Sequence, residues 1–194
     1  SGTFTMMFGI TIPLPARRAP ACARFLQARL RAPAASASVK NDIDRVFIDM
    51  TRVAVIEVQG CMVSSAAITQ DVMATANRIS AGGKRAPPFE ITTLRCGPRR
   101  NVAGVRGADL VIVPGLGTAS ADELDGKLKS PACRRASDML AAAFESGAAL
   151  AASCASTFLL AEAGLLNGRR ATTTWWLAPL FARRYPEVEL ATER

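Results

Sequence analysis

The residues best suited to chemistry lie between Ala148 and Trp176. An apolar run, Ala148 to Ala152, drives into Ser153-Cys154-Ala155-Ser156, and a helical pattern starts at once. Small residues on both sides of the cysteine are what a sharp strand-to-helix turn requires, because a nucleophile elbow holds its central residue strained and has no room for bulky neighbours. Cys154 would then stand at a helix N-terminus, where the dipole and the free backbone N–H groups favour the thiolate. The alternative is an inert, buried thiol at a strand end, since free cysteine is among the most buried residue types. Two loops could serve the same place. Gly115-Leu116-Gly117-Thr118-Ala119-Ser120 can form a tight turn whose N–H groups face Cys154, as an oxyanion hole needs, or an ordinary βα loop. It makes a poor dinucleotide fingerprint, because Ser120 fills the third glycine's place and the loop follows the third strand rather than the first; no cofactor is expected. Thr172-Thr173-Thr174-Trp175-Trp176 offers three hydroxyls and two indoles, either a small-ligand pocket lining or core packing of the tryptophans.

Composition bounds what can position these groups. At 194 residues and 49% hydrophobic, the chain can bury one sizeable core. No run approaches the roughly 18 uninterrupted apolar residues of a membrane span, so no membrane partner is expected. The five cysteines, Cys22, Cys61, Cys96, Cys133 and Cys154, are widely spaced, no pair has C-x-x-C spacing, and the chain has no histidine. A zinc site is therefore not expected, and neither is a disulfide framework in a chain this long and apolar. Free thiols in a reducing cytosol are the reading, hence a cytoplasmic location. The net charge of +8 suggests nucleic acid until its distribution is examined. Residues 1–40 carry six basic groups and no acid, which leaves 18 basic against 16 acidic groups over 41–194. That near-neutral remainder does not argue for a DNA-binding surface.

The first 49 residues are rich in Ala, Arg, Pro and Ser, with prolines at 13, 15, 20 and 33. Such a stretch is either an Arg-rich transit peptide, with Phe25, Leu26 and Leu30 as a weak amphipathic face, or sequence upstream of a true start at Met50. The second is preferred, and the segment is expected to be a disordered leader outside the fold. From residue 50 onward strand and helix patterns alternate. Arg52 to Val58 reads as a buried strand. Ser64 to Ile79 reads as a helix with Ile68, Val72, Met73, Ala76 and Ile79 at helical spacing. Strands follow at Phe89 to Leu94 and Asp109 to Val113. A helix starts with the cap-and-proline pair Ser130-Pro131 and stops at Gly147. After the strand into Cys154 come its helix to about Glu162, a turn at Asn167-Gly168, a short strand from Arg170 to Thr173, a helix over Trp175 to Arg184 and a strand over Glu187 to Ala191. This alternation predicts an α/β fold, a three-layer α/β/α sandwich on a mostly parallel sheet, with strand C-terminal ends, Cys154 among them, along one edge.

From about Arg52 to Glu193 the chain resembles the amidase-like domain of the ThiJ/PfpI superfamily, which has a flavodoxin-like, class I glutamine amidotransferase-like fold. More narrowly, it is similar to the N-terminal domain of GlxA-type regulators, which carry an AraC-type helix-turn-helix module behind it. The matching text is A-D-L-V-I-V-P-G at 108–115, S-C-A-S-T-F-L-L-A-E-A-G-L-L-N-G-R-R-A-T-T-T-W-W at 153–176 and L-A-P-L-F-A-R-R-Y-P-E-V at 177–188. Enzymes of the superfamily pair the elbow cysteine with a histidine and place an acid after the first strand. Here Thr174 occupies the histidine's position and Ser65 stands where an aspartate would fit. Without a base the thiol lacks the usual Cys–His activation, and the helix dipole alone would leave it reactive but catalytically weak. The resemblance thus implies a non-catalytic, ligand-sensing domain over residues 50–194, incomplete at its C-terminus, with the DNA-binding domain after residue 194. DNA would be contacted only through that domain, and a homodimer is expected. The implied small-molecule pocket is Gly115, Leu116, Gly117, Cys154, Ala155, Thr174 and Trp175. The rivals are a hydrolase or hydratase using Cys154, and a domain that serves only to dimerise.

Overall fold

The computed structural model describes residues 10–12, 50–96 and 102–191. Their main sheet has the order β1-β5-β4-β2-β3, with β1 Ile10–Ile12, β2 Thr51–Glu57, β3 Phe89–Arg95, β4 Leu110–Val113 and β5 Ala149–Ala152. Neighbours among β2 to β5 are parallel, while β1 runs antiparallel along β5, with Ile10 opposite Ala152. The sheet is therefore mostly parallel, as the alternation predicts. Ile10–Ile12 comes from the stretch expected to stay outside the fold and instead lies on the sheet edge; the amphipathic face at Phe25, Leu26 and Leu30 lies outside the described residues. The helices are α1 Val63–Gly82, α2 Ala103–Arg106, α3 Ala121–Leu128, α4 Pro131–Glu145, α5 Thr157–Glu162 and α6 Ala178–Arg184. Two short strands, β6 Arg170–Ala171 and β7 Glu189–Leu190, pair in parallel as a separate ribbon rather than extending the main sheet.

β2 is an interior strand, between β4 and β3, and its Val53 to Ile56 are buried. One face carries the larger core: Ala54, Ile56, Val111, Val113 and Leu150 pack under α4 and α5. α4 is held there by its inward stripe of Ala132, Ala136, Met139, Leu140 and Ala143. Its start follows the expected cap, with Ser130 Oγ accepting from the Cys133 N–H at 3.2 Å and Pro131 at the first turn. Gly147, at φ +93°, ends the turn beyond it in a conformation that disfavours any side chain. The other face, at Val53 and Val55, is met by Met73 of α1, and Phe89, Ile91, Leu110 and Ile112 stay partly exposed.

α1 does not sit as its apolar periodicity predicts. Ile68, Val72 and Ile79 face away from the sheet at 63%, 63% and 71% exposure. Ala66, Gln70, Met73 and Asn77 share the inward face instead. The Asn77 amide donates to the Phe89 carbonyl at 2.8 Å and accepts its N–H at 3.0 Å, and Gln70 Nε2 donates to Glu57 Oε1 at 3.1 Å. Two polar side chains that satisfy backbone and carboxylate at the sheet edge thus override an apolar stripe.

α3 was not anticipated. Its signature is nevertheless legible: Ser120 Oγ accepts from the Glu123 N–H at 3.1 Å, and the Glu123 carboxylate reaches back to the Ala119 N–H at 2.7 Å, an S-x-x-E capping pattern. At the opposite edge, Asp109 ties the start of β4 to β2. Its carboxylate accepts from the Arg52 backbone N–H at 2.8 Å and from the Arg52 guanidinium at 3.1 and 3.2 Å. Partial burial opposes its ionisation, but the Arg52 hydrogen bonds and charge outweigh that and hold the carboxyl below its ordinary pKa. A depressed folded-state pKa gives stability that is present above the unfolded value and lost as pH falls through the folded one. Asp109→Asn should therefore destabilise the fold near neutral pH by up to about 1 kcal/mol, the range for an exposed pair. In urea melts the difference from wild type should shrink below about pH 4.

Candidate functional site

β5 delivers the chain into the turn that the sequence marks out. Cys154 lies at φ +54°, in the left-handed region, where a non-glycine residue carries roughly 1–3 kcal/mol of strain. It is exposed, whereas Ala155, Ser156 and Thr157 directly after it are buried. The elbow reading therefore holds over the inert, buried thiol. A 3-10 turn over Cys154–Ser156 leads into α5. The turn is pinned from several sides. The Ser153 N–H donates to the Val113 carbonyl at 3.1 Å, the Ser156 N–H to the Ser153 carbonyl at 3.0 Å, and the buried Ser156 hydroxyl to the Pro114 carbonyl.

The glycine loop does reach this turn. A Cβ built at Gly115 would lie 3.6 Å from the Cys154 Cβ and 3.6 Å from the Ser153 carbonyl oxygen, so the backbone passes directly against the elbow. Its N–H groups, however, are largely spoken for. The Gly115 N–H donates to Ser65 Oγ at 2.9 Å, and the Gly117 N–H donates to the Gly60 carbonyl at 3.0 Å. The Met62 N–H donates to the Gly115 carbonyl at 2.8 Å, which completes a short antiparallel bridge between Cys61 and Leu116. The loop thus acts as a strap, and its Gly115 and Gly117 N–H groups are not free to serve as oxyanion donors. Ser65 stands at the site, as its place in the sequence suggests, but it holds a backbone amide and offers no carboxylate.

The threonine loop is the third side. Thr173 Oγ1 donates to the Cys154 carbonyl at 3.4 Å, and Thr157 Oγ1 donates to the Thr172 carbonyl at 3.2 Å. Thr174 is partly exposed and precedes a 3-10 turn over Trp175–Leu177, its carbonyl accepting the Leu177 N–H at 3.0 Å. The two indoles diverge: Trp176 packs against the core, while Trp175 is 85% exposed. Leu116 and Ala155 are both 1% exposed and belong to the core. Of the residues expected to line a pocket, Gly115 is buried against the Cys154 turn, Gly117 lies against Gly60 and Met62, Leu116 and Ala155 belong to the core, and Trp175 is exposed. Among the described residues the Cys154 Sγ has no hydrogen-bond partner, and no group of three or more Cys, Asp and Glu side chains could hold a metal ion. Nor is any helix long and apolar enough to cross a membrane.

A strained cysteine between a parallel strand and a helix, at the C-terminal edge of an α/β sheet, is a nucleophile elbow, here on a sheet of the class I glutamine amidotransferase-like fold. Residues 100–183 match the DJ-1/PfpI family. Solved structures agree on the fold. One is an AraC family transcriptional regulator from Pseudomonas putida, 21% identical, covering 74% of this chain and 77% of its own, with a TM-score of 0.52. Another, a protein from Vibrio parahaemolyticus assigned as a transcriptional regulator, is also 21% identical, covers 75% of this chain and 78% of its own, and gives a TM-score of 0.56. No curated protein matches the chain.

If the turn is strained as its φ angle indicates, glycine should relieve it where alanine cannot. Cys154→Gly should be more stable than Cys154→Ala by about 1 kcal/mol in chemical denaturation. Equal stabilities would show that the turn stores no strain.

Proposed function

We propose that this chain is the ligand-sensing, non-catalytic domain of an AraC-family transcriptional regulator of the GlxA type. It would bind a small molecule beside Cys154 and bias a DNA-binding module in the same polypeptide, within the cytoplasm. The observation that carries the reading is the elbow without its proton-transfer partners. Cys154 keeps the strained, exposed geometry, but the chain contains no histidine, and Ser65 spends its hydroxyl on the Gly115 N–H. A thiol so placed can recognise or be modified, yet lacks the base that would make it turn over. The structural similarity to an AraC family regulator supports the same reading.

The exposed cysteine also favours one rival, a hydrolase or hydratase that uses Cys154 as nucleophile. Thermal melts against a metabolite panel, paired with turnover assays on esters, amides and α-oxoaldehydes, separate the two. A sensed ligand at 100-fold its Kd adds about 2.7 kcal/mol, which at this size raises Tm by roughly 5–10 °C. That shift is expected without turnover, and in the polypeptide carrying the DNA-binding module the same ligand should change DNA affinity. Turnover that disappears in Cys154→Ala would install the enzyme reading instead.

A homodimer fits the outer face of α1. Ile68, Val72, Thr75 and Ile79 are all exposed and recur at 4-3-4 spacing, the seam of a two-helix coil. Asp71 and Arg78 flank that seam seven residues apart. In an antiparallel pair about a two-fold axis, Asp71 of one copy meets Arg78 of the other. Asp71→Arg should therefore weaken the dimer about tenfold, and adding Arg78→Asp should restore it, as read by light scattering. A charge-reversed pair that fails to recover would remove this interface.

A further inference from the structure

The C-terminal ends of β2 and β3 frame a cleft of about 560 Å³ that does not include Cys154. Glu57, Val58 and Cys61 line it from β2 and the turn after it, Arg95 and Cys96 from the end of β3, and Arg135 from α4. The volume is in the range of small-molecule sites. The place is also where an open parallel sheet takes its ligands: β2 is followed by β3 on one side, and the chain then crosses to β4 on the other.

The charges in the cleft do not cancel. Glu57 is already matched, with one oxygen accepting from Arg95 Nε at 3.2 Å and the other from Gln70 Nε2 at 3.1 Å. Arg135 has no such counterpart. Its Nε is buried and has no hydrogen-bond partner, and no carboxylate among the described residues lies within ion-pairing distance of its guanidinium. Nearly all buried polar groups are paired, so a guanidinium with a buried, unpartnered Nε and no carboxylate opposite it leaves an uncompensated positive charge in the lining of the cleft. The rest of the lining is neutral. Burial pushes the Cys96 thiol up to about 11, and burial with the nearby Glu57 raises Cys61, so both thiols stay protonated near neutral pH.

The geometry points to a binding site for a small carboxylate with a short apolar body, its two oxygens taken by the terminal Nη groups of Arg135 and its body resting on Val58, Cys61 and Cys96. A guanidinium edge matches a planar carboxylate in this bidentate way, whereas a lysine ammonium does not. The site is independent of the elbow, although the bridge between Cys61 and Leu116 makes them neighbours.

The test titrates the 15N-labelled chain with sodium butyrate and follows the arginine Nε–H resonances, with the neutral isostere butyramide and with inorganic phosphate run alongside. One Nε–H, identified as Arg135 by its loss in Arg135→Lys, should shift saturably with butyrate and not with butyramide. Arg135→Lys should bind butyrate about tenfold more weakly or worse. The response should persist in Cys154→Ala, which separates this site from ligand binding at the elbow. No saturable shift, an equal response to butyramide, or undiminished affinity in Arg135→Lys would overturn the site. A response to phosphate alone would overturn its assignment to carboxylates. Should Arg135→Lys not fold, the wild-type contrast between butyrate and butyramide decides.

Discussion

The left-handed backbone at Cys154 is the constraint on which the rest of the molecule turns. A residue with a Cβ holds φ +54° only where its surroundings leave no alternative, and here they come from every part of the chain. β4 supplies the Val113 carbonyl and the turn after it supplies the Pro114 carbonyl, both accepting from the elbow serines. The strap at Gly115 packs its backbone against Cys154 and Ser153. Beyond the turn, α5 is anchored at once by Phe158, fully buried, whose ring meets Phe181 edge-on at 4.9 Å between centroids. Tyr185 then closes that aromatic group and donates to the Glu162 carboxylate, which also pairs with Arg184. Strain of a few kcal/mol is thus spread over hydrogen bonds and a core that no small fluctuation can release together.

Much of this fold was legible because its signals are local. The β-branched run at Val53 to Ile56, the pair Ser130-Pro131 and the stop at Gly147 each specify an element through short-range sterics and capping, and each does so in the structure. What escaped depended on partners far along the chain. The face that α1 buries is chosen by Asn77 and Gln70 meeting Phe89 and Glu57, pairings that periodicity cannot see, so the apolar stripe at Ile68, Val72 and Ile79 misleads. β1 joins the sheet by antiparallel pairing to β5, about 140 residues away, from a stretch whose composition resembles a leader. α3 differs: its capping pattern at Ser120 and Glu123 is local, a signal that the sequence carries in full.

The site divides along the same line. The elbow follows from small residues around a cysteine between strand and helix, a purely local requirement. The roles of the neighbouring loops do not, because they depend on which backbone groups find partners across space. Gly115 and Gly117 look like free donors in sequence, and the contacts at Ser65 and Gly60 that occupy them lie some fifty residues upstream. Trp175 and Trp176 are indistinguishable by type, yet one packs and the other does not. The unpaired Arg135 had no sequence signal at all, since a guanidinium on a helix is usually solvated and its isolation is a matter of what surrounds it.

Where a thiol is to be deprotonated for catalysis, strain at the nucleophile is repaid by reactivity, and an acid or histidine nearby completes the repayment. Here the hydroxyl of Ser65 sits against the same backbone and fixes an amide instead. The arrangement therefore fixes the position of the Cys154 backbone and of the loop against it. Shape at the edge of the sheet is what the remaining interactions protect: the bridge between Cys61 and Leu116 ties the turn after β2 to the turn after β4, and Gly115 carries that tie to the elbow. Anything that moved one of these three turns would have to move the others, because they are joined by backbone hydrogen bonds and by the hydroxyls of Ser65 and Ser156.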